Sequence, residues 1–328
     1  MTTIKLICVF VSAVFLVPNP VYAGDSDGSN TRTYSFSVSP VISVLYGQSE
    51  EIVYKNKNTS LYESELLWDI KPLLYAGLGA DIGPVDIFRN HGFISSAFFR
   101  YGLPLRTGSM EDWDWLDRNQ YHRTHFSKHD IYSESAILAD LSAGFSFRLT
   151  GFLAIGVIGE FSFMHFYWSA RNGFVQYPEY SPSGDYSAWD SDIPKTYLNG
   201  EVITYAQNWF ILSPGLSLKA RLSRYFSIEG IFNYSPLIYC EDKDNHIVGQ
   251  TVFLDYLYFG HYLKGGGGFI FSPRHNMDLC LSLSYVSITG ARGDTYMNRV
   301  KHAGIAGAGY SAFDLGLAVK FSFNGDRR

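Results

Sequence analysis

Apolar and polar side chains alternate with a period of two along most of this chain. Between residues 313 and 323 every odd position is apolar, whereas the even positions include Asp314, Lys320 and Ser322. Successive side chains point to opposite faces in a strand, whereas a helix would need a period of 3.6. Similar alternation covers residues 34–44, 65–75, 92–105, 137–149, 151–168, 203–220, 226–234, 251–271 and 279–285. The pattern therefore predicts about ten strands.

These segments are long and one of their faces is rich in aromatic residues, which make up 17% of the chain. Many reach the 9–11 residues that a tilted membrane strand needs. In a soluble sandwich the apolar face would form the core, whereas in an outer-membrane barrel it would meet lipid. Strand length and the Tyr and Phe content favour the second. We predict an all-β fold, a ten-stranded antiparallel transmembrane β-barrel with long extracellular loops.

The lengths of the connections support this arrangement. The connections after the odd-numbered strands are long, whereas most of the others are short turns. The long ones cover residues 47–61, 105–130, 171–202, 236–250 and 289–309. Short periplasmic turns alternating with long extracellular loops are typical of outer-membrane barrels.

The amino-terminal segment resembles a secretory signal. Lys5 precedes an apolar run over residues 6–17, and Ala23 offers a small-residue cleavage site before Gly24. We predict a signal peptide over residues 1–23 and a single domain over 24–328. A membrane anchor is the alternative, but the apolar run is too short to span a bilayer.

The charge balance indicates which partners the chain attracts. The formal net charge is −5, with only 17% charged residues. Such a chain repels phosphate backbones, which argues against nucleic-acid binding, and it favours cationic partners such as basic peptides.

Two acidic clusters follow strands on opposite walls of the predicted ring. The first covers residues 110–117, after the third strand, and the second covers residues 240–246, after the seventh. Asp112 and Asp114 are two positions apart, so they share a face, and two close carboxylates raise one pKa. Asp244 and His246 have the same spacing, and a carboxylate beside an imidazole makes it a better general base.

Opposed across a cleft, these two pairs would hold and activate one water molecule for attack on an amide. Two other interpretations stay open for the acidic residues. They could be solvated surface groups, or they could bind calcium through Asp-x-Asp oxygens, for which His246 is a poor ligand.

The run GSMEDWDW at residues 108–115, followed by DKDNH at 242–246, resembles the omptin family. Omptins are ten-stranded outer-membrane endopeptidases of Gram-negative bacteria. The resemblance covers residues 34–323 and includes LLW at 66–68 and SAR at 169–171.

The resemblance implies roles for individual residues. Asp244 and His246 would form the dyad that activates water, and Asp112 and Asp114 would hold that water. An acidic pocket that selects basic residues would contain Glu51 and Asp242, and His125 matches a loop histidine of the family. The implied reaction is cleavage beside basic residues, often between two of them, without a metal ion or other cofactor.

The chain departs from the family at the positions that usually grip lipopolysaccharide. Those positions hold Phe161, Phe163, His165 and Asn208. They suit lipid tails better than phosphates, so either the lipid site lies elsewhere or activation by lipopolysaccharide is weaker. We expect contact with outer-membrane lipid and a monomeric protein.

The sequence thus predicts an aspartic-type endopeptidase in the outer membrane of a Gram-negative cell, with its active site facing the extracellular side. An omptin-like adhesin or receptor without proteolysis is the alternative. A small passive porin is a third interpretation, which ten strands disfavour because inward side chains largely fill so narrow a barrel.

Overall fold

The computed structural model describes residues 34–118, 121–182 and 184–324, and the predicted signal peptide lies outside them. These residues form strands and turns, and none of them belongs to a helix long and apolar enough to cross a membrane. The strands are β1 (Tyr34–Tyr54), β2 (Tyr62–Pro84), β3 (Gly92–Gly102), β4 (Leu105–Asp114), β5 (His125–Arg148), β6 (Leu153–Gln176), β7 (Thr196–Tyr197), β8 (Glu201–Arg221), β9 (Phe226–Ser235), β10 (Ile238–His246), β11 (Thr251–Tyr258), β12 (His261–Arg274), β13 (Met277–Met297) and β14 (Val300–Asn324).

The strands close into one antiparallel barrel. Strand β1 pairs with β2 on one side and with β14 on the other, so the last strand of the ring returns to the first. Closure pairs the backbone groups that an open sheet leaves at its edges. A closed ring is also the only sheet that can face lipid without unpaired backbone groups.

The described part of the chain forms fourteen strands, whereas the sequence predicted ten. Three positions in the ring are each shared by two strands with a break between them, namely β3 with β4, β9 with β10, and β11 with β12. Strands β11 and β12 lie within one predicted strand, whereas β4 and β10 lie in segments predicted as connections. The first two breaks contain Pro104 and Pro236, which lack the N–H that a ladder needs. The third contains Phe259 and Gly260, both with positive φ. With the two-residue β7 set aside, ten positions remain around the ring.

The apolar faces of the strands point outwards. Ile42 is 60% exposed, Leu78 59% and Phe145 55%, each from a different strand. Inside the barrel at this level, charged groups meet instead, as where Lys264 Nζ lies 2.9 Å from Glu160 Oε1. A soluble sandwich would bury the apolar face and expose the charges, so that alternative is wrong.

A layer of stacked aromatic rings fills the barrel above these interior charges. The Trp68 ring lies 5.9 Å from that of Trp168 and 5.1 Å from that of Tyr205. Phe166 lies 5.1 Å from Trp168 and 5.4 Å from Tyr310. A cavity between this layer and the charges measures about 30 Å³, which is room for one or two water molecules. A filled interior does not suit a passive porin.

The strands continue well beyond the apolar belt, so most connections at the site end are shorter than predicted. Strands β1 and β2 remain paired as far as Tyr54 and Tyr62, which leaves a connection of only 55–61 in place of 47–61. Residues 247–250 and 298–299 are likewise the whole connections after β10 and β13. The predicted limits were wrong because both strand faces become polar above the belt, as Gln48 on the outer face and Glu51 on the inner face illustrate. The hydrophobic period then disappears although the strand does not.

Candidate active site

The six residues predicted for catalysis and substrate binding lie in strands, not in loops. Glu51 belongs to β1, Asp112 and Asp114 belong to β4, and the others to β10. Those on β10 are Asp242, Asp244 and His246. The sequence predicted these residues in loops, and that placement is wrong. Strand β4 remains paired with β5 as far as Asp114, and β10 remains paired with β8 as far as His246.

The structure brings the two predicted couples together across the barrel. Three ring positions separate β4 from β10 on one side and five on the other, so the two strands form facing walls. The carboxylates of Asp112 and Asp114 act electrostatically on the imidazole of His246. The couples therefore share one cleft above the aromatic layer.

Asp244 and His246 form a close pair. The Asp244 Oδ2 and His246 Nε2 atoms are 2.5 Å apart, and the carboxylate side chain is 1% exposed whereas the imidazole is 32% exposed. Burial lowers the pKa of His246, but the charge and hydrogen bond of Asp244, followed by the charges of Asp112 and Asp114, raise that pKa to about 9. Because Nε2 faces Asp244, Nδ1 is the ring nitrogen left to accept a proton from the cleft.

Asp112 and Asp114 form an acidic couple with Ser64 of β2 beside it. The Ser64 hydroxyl donates a hydrogen bond to Asp112 Oδ1 at 3.3 Å. Burial, followed by the charge of Asp114, holds the pKa of Asp112 well above its usual range. Burial also raises the pKa of Asp114 to about 6, against the opposing effects of Ser64 and His246. Two close carboxyl groups with raised pKa values suit a site that binds water.

Glu51 and Asp242 are both almost fully buried beside the dyad. Burial raises the pKa of Glu51 well above its usual range, and the charges of Asp244 and Asp242 raise it further. The Tyr205 hydroxyl donates a hydrogen bond to Asp242 Oδ2 at 3.1 Å. The two side chains thus form an acidic recess next to the reacting groups.

A third buried carboxylate in this recess, Asp255 of β11, was missed by the sequence reasoning. Asp255 lies directly opposite Asp242 in the pairing of β10 with β11. The sequence alone gives no signal for this contact, because it depends on the position of the turn at 247–250 and on the register of the two strands that the turn joins. Burial raises the pKa of Asp255 to about 7, and the charge of Asp255 contributes to raising that of Asp242.

His125 lies at the start of β5, opposite Asp114 in the register. Its ring packs 4.7 Å from Tyr177 and 4.6 Å from Tyr186, and its Nδ1 lies 2.9 Å from the Thr124 hydroxyl. Burial lowers its pKa. His125 thus borders the acidic couple, held among aromatic rings.

Within residues 34–118, 121–182 and 184–324, no three His, Cys, Asp or Glu side chains are grouped so as to hold a metal ion.

Comparison with known proteins relates this chain to one family. The profile of the omptin family matches residues 32–323. A plasminogen activator of Yersinia pestis is 26% identical over 244 residues, which is 72% of this chain and 72% of that protein. The crystal structure of the outer-membrane protease OmpT from Escherichia coli is similar with a TM-score of 0.76 and 21% identity, over 91% of this chain and 99% of that one.

Proposed function

The chain belongs to the omptin family, whose members are outer-membrane proteases, and we propose that it cleaves polypeptides beside basic residues at the extracellular mouth of its barrel. The observation that carries this proposal is the pairing of Asp244 with His246 at 2.5 Å, in a cleft that also holds an opposed carboxylate couple. A barrel that only bound other proteins would have no use for this pairing. The protein is proposed to work as a monomer in contact with outer-membrane lipid.

In the proposed reaction, His246 is the general base. Its Nδ1 accepts a proton from a water molecule held by Asp112 and Asp114, and the water oxygen attacks the scissile carbonyl carbon. The buried charge of Asp244 stabilises the imidazolium that forms. The same proton then passes to the amine leaving group as the C–N bond breaks, which returns His246 to its starting state.

The recess beside the dyad would select the substrate. Glu51 and Asp242 are buried carboxylates, and such groups bind Arg or Lys through charge-assisted hydrogen bonds. This arrangement favours cleavage next to a basic residue, and a second basic residue would meet the negative charge of the Asp112 and Asp114 couple.

The test is hydrolysis of a fluorogenic Arg-Lys peptide by the refolded protein, with an Ala-Ala peptide of the same length as the matched substrate. We expect rapid cleavage of the first peptide only, loss of that cleavage in His246→Ala, and no effect of a chelator. Parallel reactions with and without lipopolysaccharide measure the dependence on that lipid. Equal cleavage of the two peptides would contradict the acidic recess, and inhibition by the chelator would contradict a metal-free reaction.

A further inference from the structure

We propose that Asp255 binds the basic side chain of the substrate as a third carboxylate, together with Glu51 and Asp242. The inference rests on the proposed function and assigns a further specificity-determining residue to the same site. The chemical class of the bound group is a guanidinium, and so the preferred residue is arginine.

The first support comes from the register. Asp255 and Asp242 face each other directly on neighbouring strands, and they are 2% and 1% exposed. Like charges directly opposite each other in an antiparallel pair destabilise it, and burial increases the cost. A positively charged group beside this pair would offset that cost, because both carboxyl groups could then be ionised.

The second support is that the protein supplies no such group itself. Among the described residues, neither Lys nor Arg forms an ion pair with Glu51, Asp242 or Asp255. One buried oxygen of each carboxylate also has no hydrogen-bond partner, namely Glu51 Oε2, Asp242 Oδ1 and Asp255 Oδ1. The carboxyl groups of Asp242 and Asp255 interact with each other. Three strands therefore contribute acidic groups to one recess, and Lys or Arg side chains of the described residues neutralise none of them.

The third support is the polar network that fixes the recess from below. Tyr205 holds Asp242 through Oδ2 only, and Gln207 Nε2 donates to the Tyr205 hydroxyl at 2.9 Å. Ser49 and Trp209 both donate to Gln207 Oε1, at 2.6 and 2.8 Å. The network orients Asp242 through Oδ2 and does not engage Oδ1.

Three carboxyl groups on different strands match a guanidinium better than an ammonium. Arginine carries five N–H donors in a planar fork, whereas lysine carries three on one nitrogen. A fork can reach carboxylates that lie on different walls of a recess, as these do. Arginine is therefore the expected occupant.

The test compares two peptides that differ only in arginine or citrulline, its uncharged isostere, at the position before the scissile bond. In Asp255→Asn we expect kcat/KM for the arginine peptide to fall at least about tenfold, as for loss of a hydrogen bond to a charged group. The rate for the citrulline peptide should stay at the wild-type value, and heat-modifiable migration shows that the variant is folded.

Asp130→Asn is the matched control, because Asp130 lies on the outer side of β5 in an exposed ion pair with Arg106. It should leave both rates unchanged. Asp255→Ser serves as a second variant if asparagine disturbs folding. Unchanged discrimination between arginine and citrulline in a folded Asp255 variant would overturn the proposal, and so would an equal fall for both peptides. If the wild-type protein cleaves neither peptide, the proposed function itself fails.

Discussion

Replacing Asp244 by Asn tests the catalytic pair most directly. The substitution keeps the shape of the side chain and removes a charge that is buried 2.5 Å from the imidazole. Asparagine cannot stabilise an imidazolium, so the barrier to water activation rises. General acid–base catalysis contributes about 10²–10⁴ in rate, and each factor of ten corresponds to about 1.4 kcal/mol. We therefore expect kcat to fall by about 10²–10⁴, or about 3–5 kcal/mol.

The pH dependence of the residual activity separates this role from a merely structural one. With Asp244 present, the pKa of His246 is raised to about 9 against the opposing effect of burial. A general base acts in its neutral form, so the rate should rise as pH increases through that pKa. Without Asp244, burial has the larger influence, and the rising limb should move to lower pH.

The assay is kcat/KM for the Arg-Lys peptide across this pH range, with heat-modifiable migration as the check that the barrel is folded. Asp130→Asn again removes one carboxylate charge at an outer position and should behave as the wild type. The reasoning is refuted if folded Asp244→Asn keeps more than about a tenth of the wild-type rate, since general-base loss costs more than that.

Three further predictions concern the recess and its supports. Glu51→Gln and Asp242→Asn should each reduce the ratio of kcat/KM for arginine and citrulline peptides, and an unchanged ratio in both would contradict the recess. The pKa of Asp255 is raised from 3.8 to about 7, so the folded barrel binds its proton more tightly than the unfolded chain does. Stability should therefore be lost as pH rises from about 4 through about 7, and Asp255→Asn should reduce this loss in melts followed by circular dichroism. Trp68→Ala removes a fully buried ring and should lower the free energy of unfolding by about 3–5 kcal/mol. Its melting temperature should therefore be lower than that of the lipid-facing control Leu78→Ala. Equal melting temperatures would contradict the supporting role of the aromatic layer.

The barrel could be predicted from sequence because lipid imposes a strict rule on one face of each strand. Residues such as Leu315 and Leu317 follow that rule, and their exposure in the structure agrees with it. Above the lipid, Gln48 and Glu50 face outwards into a polar medium while Glu51 faces a polar cleft. No difference between the faces remains there, so strand ends were mistaken for loops.

Some residues of the candidate site could be predicted from the sequence, and one could not. Asp112 with Asp114, and Asp244 with His246, could be found because a spacing of two identifies a shared face within one strand. Asp255 belongs to another strand, and its relation to Asp242 depends on the register of the β10 and β11 pair. Register follows from turn geometry as well as pattern, so a single sequence with a misplaced turn hides that contact.

The placement of the site in strands explains how the protein can hold so many buried carboxylates close together. Flexible loops would move like charges apart and let water screen them. In the barrel, Asp242 and Asp255 are held opposite each other by continuous backbone pairing of β10 with β8 and β11, and the stacked Trp68, Trp168 and Tyr205 rings brace the floor. This backbone pairing therefore keeps the two acidic side chains close together despite their electrostatic repulsion. A cation that enters the cleft meets acceptors already in position, so little of its binding energy is lost in ordering the site.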